Sequence, residues 1–474
     1  MDGVVTTVPD GLAFAGLCEV GERLHAGELS PLALTRAMLD RIAALDGTLR
    51  AYQTVMPEAA LAEAATAERE IAAGRVRGPL HGVPVAVKDL CWSHDAPTAG
   101  GMAIYRDFRP TEDGTVPARL RAAGAVILGK LALTEGAYAG YHPDMPVPVS
   151  PWDPEAWPGT SSSGSGVATA AGLCYGSIGS DTGGSIRFPS AANGLTGIKP
   201  TWGRVSRYGG FALGETLDNF GPMCRSAKDA AAMLGAIAGH DRKDPTSLRA
   251  EVPDYLAGIE DGVKGLRIGV APAFVALGAD TDAVAAIEGA RAALAGLGAT
   301  IVEVTFPDAS PVLKDWFPLC AVEAASAHAE TFPSRRDAYG PILRGFLDLA
   351  KDVTADDMHR MALRRLAFRG EVEAAFDGID LLLLPVQGMS GPTQADILTA
   401  AEADPVIADL LRFSCIFNMT GQPTITLPAG FTAKGRPVGV QLIGRHLDEA
   451  LLARAGHDFQ GTTDWHLVRP PGMC

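Results

Sequence analysis

The sequence has few of the features that mark a metal protein, a disulfide scaffold or a membrane protein. Its seven cysteines form no Cys-x-x-Cys pair, which argues against a zinc knuckle and against a disulfide framework. They are Cys18, Cys91, Cys174, Cys224, Cys320, Cys415 and Cys474. We expect most of them to be small buried hydrophobic residues in a reducing compartment.

Long apolar runs are also absent from the sequence, and no targeting leader is expected. No run of about 18 apolar residues occurs, so no transmembrane helix is expected. The N-terminal stretch MDGVVTTVPDGLAFAGLC lacks a basic leader, and its apolar run is short and broken by glycine, unlike a signal peptide. These observations predict a cytoplasmic protein.

Positive charge is scarce. The chain has 40 Lys and Arg residues against 55 Asp and Glu residues, for a formal net charge of −15. Because nucleic acids and anionic membranes attract basic surfaces, we expect neither as a partner. The 47% hydrophobic content is typical of a globular protein with a substantial core. A chain of 474 residues could form one very large domain or two to four ordinary ones.

Three common hydrolase signatures are missing, and a fourth motif is only partly present. The chain contains no Gly-x-Ser-x-Gly elbow, no Ser-x-x-Lys pair and no His-Glu-x-x-His helix. Residues 124–131, GAVILGKL, match most of a phosphate-binding loop, but Leu131 stands where that loop needs Ser or Thr. The four residues before Gly129 and Lys130 are small or apolar, so we predict a buried strand and no phosphate-binding role for Lys130.

Hydrophobic periodicity predicts helices alternating with strands. A helix is expected at 30–45, with Ser30 as N-cap and Pro31 as first helical residue, and another at 57–73. The valines of 83–87 predict a short strand interrupted at its edge by Pro84. Later strands are expected in GLRIGVAP, TIVEVTF, TITLPAG, RPVGVQLIG and the fully apolar 379–386, with a closing helix at 448–459.

What the chain contains in abundance is glycine and serine between Trp157 and Ser190. This stretch reads WPGTSSSGSGVATAAGLCYGSIGSDTGGSIRFPS. A Gly/Ser-rich run is usually a flexible linker. A linker, however, has no use for the apolar residues between its two turns, or for Asp181 and Arg187. A tightly packed site is the better interpretation, since glycines let backbone amides approach a ligand and serine hydroxyls can attack or relay protons.

The motifs GTSSSG and GSDTGGSIRFPS resemble the signature of the amidase signature family of serine hydrolases. Ser161 and Ser185 lie 24 residues apart, which is the family spacing, and only Thr160 departs from the usual Gly or Ala. The likeness runs from about residue 20 to 460 and includes GLTGIKPTWGRVSRYGG and LDNFGPMCRSAKDA.

The resemblance implies an α/β fold with a large mixed, twisted β-sheet covered by helices on both faces. It implies one large domain over residues 1–474. Within it we expect a helical N-terminal part at about 1–75, a signature core at about 76–237, and a variable helical substrate-pocket part at about 310–375.

The chemical problem in the signature is that it contains serines but no histidine to activate them. Lys88 directly follows the strand GVPVAV. A lone lysine at a strand end is usually solvated, whereas one held near the core has its pKa lowered by desolvation. The resemblance implies that Lys88 is the base, that Ser185 is the nucleophile, and that Ser161, preceded by a cis peptide bond, relays the proton.

The resemblance also implies the remaining site residues. Backbone N–H groups would form an oxyanion hole at Thr182, Gly183, Gly184 and Ser185. Supporting side chains would be Ser162, Asp181 and Arg187. The polar, aromatic loop at 134–152 is a natural place for substrate contacts, although packing of the loop explains its tyrosines equally well. The predicted substrate-binding residues are Tyr138, Tyr141, Gly159 and Thr160. No metal ligand and no cofactor are predicted.

The predicted reaction is hydrolysis of a C–N bond in a small linear amide, through an acyl-enzyme on Ser185. Esters, hydrazides and carbamates share the attackable carbonyl. An aryl or apolar substrate is favoured by aromatic residues in loops or variable stretches, namely Trp92, Tyr105, Tyr138, Tyr141, Trp316 and Phe317. The small-molecule amide, carbamate or ester is the expected partner, and a homodimer is compatible with the sequence.

Two other functions stay open at this point. The A subunit of glutamine-dependent amidotransferases would use the same residues on glutamine and pass ammonia to a partner acting on mischarged tRNA. No basic RNA-facing tract stands out in the sequence to favour it. A catalytically silent binding or scaffold protein on the same fold would fail to react with a fluorophosphonate probe.

Overall fold

One mixed β-sheet runs through the part of the chain that the computed structural model describes, residues 11–397 and 410–473. Its strands are β1 (Tyr52–Val55), β2 (Pro84–Lys88), β3 (Val126–Leu131), β4 (Gly176–Asp181), β5 (Thr196–Lys199), β6 (Asn219–Cys224), β7 (Arg267–Val270), β8 (Thr300–Glu303), β9 (Leu381–Pro385), β10 (Thr424–Phe431) and β11 (Pro437–Ile443). Their order across the sheet is β1-β3-β2-β4-β6-β5-β10-β11-β9-β7-β8. Strand β2 is parallel to β3 and β4, strand β7 is parallel to β8 and β9, and the other neighbours are antiparallel.

The α-helices of the described residues lie before, between and after these strands. They are α1 (Leu17–His25), α2 (Pro31–Leu49), α3 (Pro57–Ala72), α4 (Thr115–Ala122), α5 (Ser163–Ala170), α6 (Arg187–Ala192), α7 (Ala227–Ile237), α8 (Pro272–Val275), α9 (Thr281–Gly296), α10 (Ser310–Ala327), α11 (Pro341–Leu349), α12 (Ala355–Ala375), α13 (Ile416–Thr420) and α14 (Glu449–Gln460).

Helices cover both faces of the sheet. A Cβ on Gly439 of β11, which pairs with Pro428 of β10, would come within 2.8 Å of Ala191 in α6. A Cβ on Gly456 of α14 would instead come within 2.8 Å of Ile425 in β10. Because side chains alternate along a strand, Pro428 and Ile425 point to opposite faces, so α6 and α14 lie on opposite sides. The predicted single-domain α/β fold is confirmed, whereas its finer division into three parts stays a prediction.

The predicted helices are confirmed, and so is the short strand that begins near Pro84. Helix α2 begins at Pro31, where the hydroxyl of its N-cap Ser30 accepts the Ala33 N–H at 3.1 Å. Strand β2 begins at Pro84, so the proline lies at the edge of the strand as predicted, and the strand is buried between β3 and β4. Pro84 is tolerated there because it is the first residue of the strand.

The partial phosphate-loop motif forms a buried strand, as predicted. Strand β3 has no exposed residue, and Lys130 within it lies 3.1 Å from a carboxylate oxygen of Asp89. Its ammonium also donates to the hydroxyl of Thr98 at 2.7 Å. The positive charge of Lys130 is therefore balanced by Asp89 inside the fold, and this lysine is not available to bind a phosphate.

The cysteines that the structure describes are buried, as expected from the sequence. Cys18, Cys91, Cys174, Cys224, Cys320 and Cys415 are buried and free, and Cys474 lies outside the described residues. Over residues 11–397 and 410–473, no helix combines the length and hydropathy that crossing a bilayer would need.

Candidate active site

Two parallel strands bring the candidate residues together. Lys88 is the last residue of β2 and Asp181 is the last residue of β4, and these strands are parallel neighbours. Their carboxyl ends therefore meet at the same edge of the sheet, where α/β proteins usually bind ligands. Helix α5 packs against β4 and begins at Ser163, so it brings the preceding Ser161 and Ser162 to the same edge.

The ammonium group of Lys88 lies among three hydroxyl groups. Its Nζ is 2.7 Å from Ser161 Oγ, 2.9 Å from Ser162 Oγ and 2.9 Å from Ser180 Oγ. All four side chains are buried. Burial lowers the pKa of Lys88 to about 7, so a large fraction of this lysine is neutral near neutral pH.

Three neighbouring groups oppose the effect of burial on Lys88. Cys91, Asp218 and Asp181 each favour the protonated amine and so raise its pKa, but by less than burial lowers it. Asp218 is buried, and burial raises its own pKa to about 6. When Lys88 gains a proton, the two carboxylates can stabilise the positive charge.

Ser162 orients the lysine. Its hydroxyl donates to the Ser180 carbonyl at 3.1 Å and accepts the Ser180 N–H at 3.2 Å. Because the hydroxyl proton of Ser162 is donated to the Ser180 carbonyl, Lys88 must be the donor in the hydrogen bond between Lys88 and Ser162. A neutral amine has two N–H bonds and one lone pair. If one N–H of neutral Lys88 donates to Ser162 and the other to Ser180, the nitrogen lone pair faces Ser161 and can accept its hydroxyl proton.

Ser180 is the contact that the sequence prediction missed. It directly precedes Asp181 on β4, and the alternation of side chains along a strand puts the two residues on opposite faces. This alternation in the GSD part of the signature is the signal that could have separated Ser180 from Asp181. It places Ser180 toward Lys88 and Asp181 toward Arg187.

The backbone segments that carry Ser161 and Ser185 are adjacent. The peptide bond between Thr160 and Ser161 is cis, and the Ser162 N–H donates to the Ser185 carbonyl at 3.3 Å. Ser185 is partly exposed, whereas the other residues from 181 to 190 are buried. Within the described part of the chain the Ser185 hydroxyl forms no hydrogen bond, so it is free to meet a ligand.

Asp181 and Arg187 form a buried ion pair behind Ser185. The carboxylate accepts from Arg187 Nη2 at 2.9 Å and from Nε at 3.0 Å, and it also accepts the Ile186 N–H at 3.1 Å. Burial alone would raise the pKa of Asp181, but the guanidinium outweighs it and the pKa falls to about 2. Asn418 completes the pair by donating to Asp181 at 2.9 Å and accepting from Arg187 at 2.6 Å.

The turn from Thr182 to Ser185 presents free backbone donors. Across the residues that the structure describes, the N–H groups of Gly183, Gly184 and Ser185 donate to no protein acceptor. Such donors are what a developing oxyanion requires. Only glycine fits at two positions, because a Cβ on Gly183 would lie 2.6 Å from Trp316 and one on Gly184 (φ +141°) would lie 2.4 Å from Phe188.

A mainly apolar pocket opens at Ser185. Its lining residues include Tyr138, Thr160, Thr182, Phe188, Leu213, Trp316, Phe317, Ile397, Leu410 and Leu411. The Tyr138 ring stacks on Phe346 of α11 with centroids 3.8 Å apart. Of the aromatic residues singled out in the sequence, Tyr138, Trp316 and Phe317 therefore reach this pocket.

The remaining predicted contact residues lie elsewhere. Tyr141 donates its hydroxyl proton to Ser163 Oγ at 2.8 Å and is not part of the pocket lining. Gly159 adopts φ +80°, and a Cβ there would meet Pro189 at 2.3 Å, so it serves the close approach of two backbone segments. Trp92 and Tyr105 pack against Phe108, away from the pocket lining.

Comparisons with known proteins identify the family of the chain. The model of the Amidase family matches residues 33–453. A Mycobacterium bovis protein named "Putative amidase AmiD" is 48% identical over 470 residues, covering 98% of this chain and 97% of the relative. The A subunit of a Geobacter glutamyl-tRNA(Gln) amidotransferase is 37% identical over 482 residues, covering 96% and 98%. The crystal structure of peptide amidase from Stenotrophomonas maltophilia has a TM-score of 0.84 at 30% identity, covering 98% and 100%. The chain therefore belongs to the amidase signature family of hydrolases that act on carbon–nitrogen bonds.

Proposed function

We propose that this amidase hydrolyses small aryl or apolar amides through an acyl-enzyme on Ser185. The observation that carries the proposal is the buried hydrogen bond of 2.7 Å between Lys88 and Ser161, beside a pocket where Ser185 is partly exposed. Carbamates and esters with the same apolar groups are also expected substrates, because they present the same carbonyl. A small molecule is the only partner that this reaction needs, and we infer a cytoplasmic enzyme, alone or as a homodimer.

The first half of the reaction forms the acyl-enzyme. Ser185 Oγ attacks the amide carbonyl, its proton passes to Ser161, and the proton of Ser161 passes to neutral Lys88. The carbonyl π electrons move to oxygen, where the N–H groups of Gly183, Gly184 and Ser185 can donate to the oxyanion. When the oxyanion collapses, the C–N bond breaks and the leaving amine takes a proton from Ser161, which recovers one from Lys88.

The second half releases the acid. Water attacks the ester carbonyl on Ser185 and gives its proton through Ser161 to Lys88. The second tetrahedral intermediate collapses, the bond to Ser185 Oγ breaks, and Ser185 regains the proton by the same route. Since the Ser185 hydroxyl forms no hydrogen bond with Ser161 in the structure, the relay requires the Ser185 hydroxyl to rotate toward Ser161. Such tightening on substrate binding is common in enzymes.

The lining of the pocket supports the proposed substrate class. None of its described lining residues is Asp, Glu, Lys or Arg. A free amino acid such as glutamine carries an ammonium and a carboxylate, and burying either without a partner is strongly unfavourable. The rings of Tyr138, Phe188, Trp316 and Phe317 instead offer contact to an aryl or alkyl group.

The alternative is glutamine-dependent amidotransferase activity, which the likeness to the Geobacter protein favours. A panel of anilides, aliphatic amides, aryl carbamates and glutamine separates the two functions. We expect the anilides to react fastest, and labelling by a fluorophosphonate followed by peptide mapping to identify Ser185. Ser185→Ala is the matched control. If glutamine is the preferred substrate and ammonia the product, the amidotransferase function replaces the proposal, and an unreactive wild-type protein would indicate a silent homologue.

A further inference from the structure

Every backbone carbonyl in the turn that carries the candidate oxyanion hole accepts a hydrogen bond. The Thr182 carbonyl accepts from Trp316 Nε1 at 2.9 Å, and the Gly183 carbonyl accepts from Ser414 Oγ at 2.7 Å. The carbonyl of Asp181, just before the turn, accepts from the side chains of Asn418 and Asn219. The Gly184 carbonyl accepts the Phe188 N–H, and the Ser185 carbonyl accepts the Ser162 N–H. The turn is therefore held on its carbonyl side at each residue.

The carbonyl contacts determine where the N–H groups point. In a trans peptide the C=O of one residue and the N–H of the next point in opposite directions. A hydrogen bond from Trp316 to the Thr182 carbonyl therefore also fixes the direction of the Gly183 N–H. In the same way, the hydrogen bond from Ser414 to the Gly183 carbonyl fixes the direction of the Gly184 N–H. These are two of the N–H groups without an acceptor in the described part of the chain.

We propose that Trp316 and Ser414 are positioning residues of the oxyanion hole. They act through the peptide groups of Gly183 and Gly184 and do not touch the reacting atoms. This inference rests on the proposed acyl-enzyme function of Ser185. It assigns a role in the reaction to two side chains that lie more than 100 residues away from the turn in sequence.

The turn needs external contacts of this kind because two of its residues are glycines. Glycine restricts its own dihedral angles less than any other residue, so Gly183 and Gly184 cannot hold the peptide planes by themselves. The indole of Trp316 lies directly against the turn, since a Cβ on Gly183 would come within 2.6 Å of its ring. Ser414 is fully buried, and its hydroxyl is closer to the Gly183 carbonyl (2.7 Å) than to that of Leu411 (3.2 Å).

Trp316 also lines the substrate pocket. One side chain thus contacts the substrate region and holds a carbonyl of the turn. A ligand that displaces the indole would change the aim of the Gly183 N–H as well as the shape of the pocket. Ser414 has no such double role, because it does not line the pocket. Ser414 variants therefore test the positioning role without altering the substrate wall.

The test compares Ser414→Ala with the matched control Ser190→Ala. Ser190 is also buried and donates to a backbone carbonyl, that of Ile186, at 2.7 Å. The N–H that follows Ile186 belongs to Arg187 and points to Asp181, away from the oxyanion hole. Both variants lose one hydroxyl-to-carbonyl hydrogen bond, and melting temperatures check that they lose similar stability. Only Ser414→Ala removes a hydrogen bond that fixes the direction of an N–H group in the oxyanion hole, that of Gly184.

The readouts are kcat and KM for one anilide and the inhibition constant of a trifluoromethyl ketone with the same acyl group. We expect Ser414→Ala to lower kcat by about 10- to 100-fold with little change in KM. The inhibition constant should rise by a similar factor, because the ketone adduct carries the oxyanion. Ser414→Thr, which keeps the hydroxyl, should recover most of kcat, and Ser190→Ala should stay near wild type.

A second variant keeps the inference testable if Ser414→Ala does not fold. Trp316→Phe removes the indole N–H and keeps an aromatic ring, so kcat and ketone affinity should fall together by about 10-fold or more. The inference is overturned if the wild-type protein is labelled at Ser185 while these variants match Ser190→Ala in kcat and ketone affinity. An absence of wild-type labelling at Ser185 would instead refute the acyl-enzyme function, and the inference with it.

Discussion

The pKa of Lys88 determines how the activity should depend on pH. If Lys88 must be neutral to accept a proton, kcat/KM should follow its neutral fraction. With a pKa of about 7, this fraction is about one half at pH 7 and about one tenth at pH 6. A lysine at the ordinary value of 10.5 would be neutral in only about 0.03% of molecules at pH 7. Burial therefore raises the concentration of active base about 1000-fold.

The assay is kcat/KM for one anilide from about pH 5.5 to about pH 9.5, which reports the free enzyme. We expect an ascending limb of unit slope with its midpoint near 7 and a plateau on the alkaline side. A midpoint near 10, or a rate independent of pH over this range, would refute Lys88 as the base.

Lys88→Ala separates the roles of base and acid. We expect hydrolysis of amides to fall by about 100- to 10 000-fold, because the poor leaving group needs protonation as well. Activated esters should lose less, since their leaving groups depart unaided. Equal losses for amides and activated esters would show that Lys88 is structural.

The same pKa predicts a change in stability for Lys88→Met. Because the folded-state pKa lies below the ordinary value of 10.5, protonation of Lys88 opposes folding. This cost is small above pH 10.5, grows as the pH falls, and is complete below about 7. Relative to wild type, the free energy of unfolding of Lys88→Met should therefore rise by roughly 3 kcal/mol between pH 9 and pH 6. Denaturant unfolding at the two pH values measures it, and the lost hydrogen bonds cancel in the comparison. A difference of zero would contradict a buried, titrating Lys88.

Four further changes probe the site. Ser185→Ala should abolish fluorophosphonate labelling at the active site, and a variant that is still labelled there would exclude Ser185 as nucleophile. Gly183→Ala should lower kcat about 100-fold, because its Cβ would come within 2.6 Å of Trp316 and push the turn aside; a kcat near wild type would show that the turn tolerates the shift. Phe346→Ala removes the ring that stacks on Tyr138 at 3.8 Å, so KM for anilides should rise several-fold while acetamide is little affected, and equal effects on both would argue against an aryl site. Dialysis against a strong chelator should leave activity intact, because the sequence lacks spaced metal ligands; activity restored by added zinc would contradict this.

Local features of the sequence were enough to predict many of the helices and strands, and the resemblance to the amidase signature family implied the fold and the proposed residues. The valines before Lys88 indicate a buried strand, and burial of a lysine implies a lowered pKa wherever the strand lies in the sheet. Gly183 and Gly184 indicate a turn that a side chain would obstruct. These conclusions depend on neighbours along the chain, which the sequence contains directly. Pro84 interrupts this strand only at its first residue, a position that proline can occupy even in a central strand.

The tertiary structure alone decided which distant groups meet at this edge of the sheet. Ser180 reaches Lys88 because β4 lies next to β2, an order that strand patterns do not reveal. Trp316 and Ser414 reach the turn only after α10 and the segment before α13 have packed against it. Hydrogen bonds require distances within a few tenths of an ångström and a narrow range of angles. Such geometry between residues far apart in the chain arises only when the whole sheet and its helices are assembled.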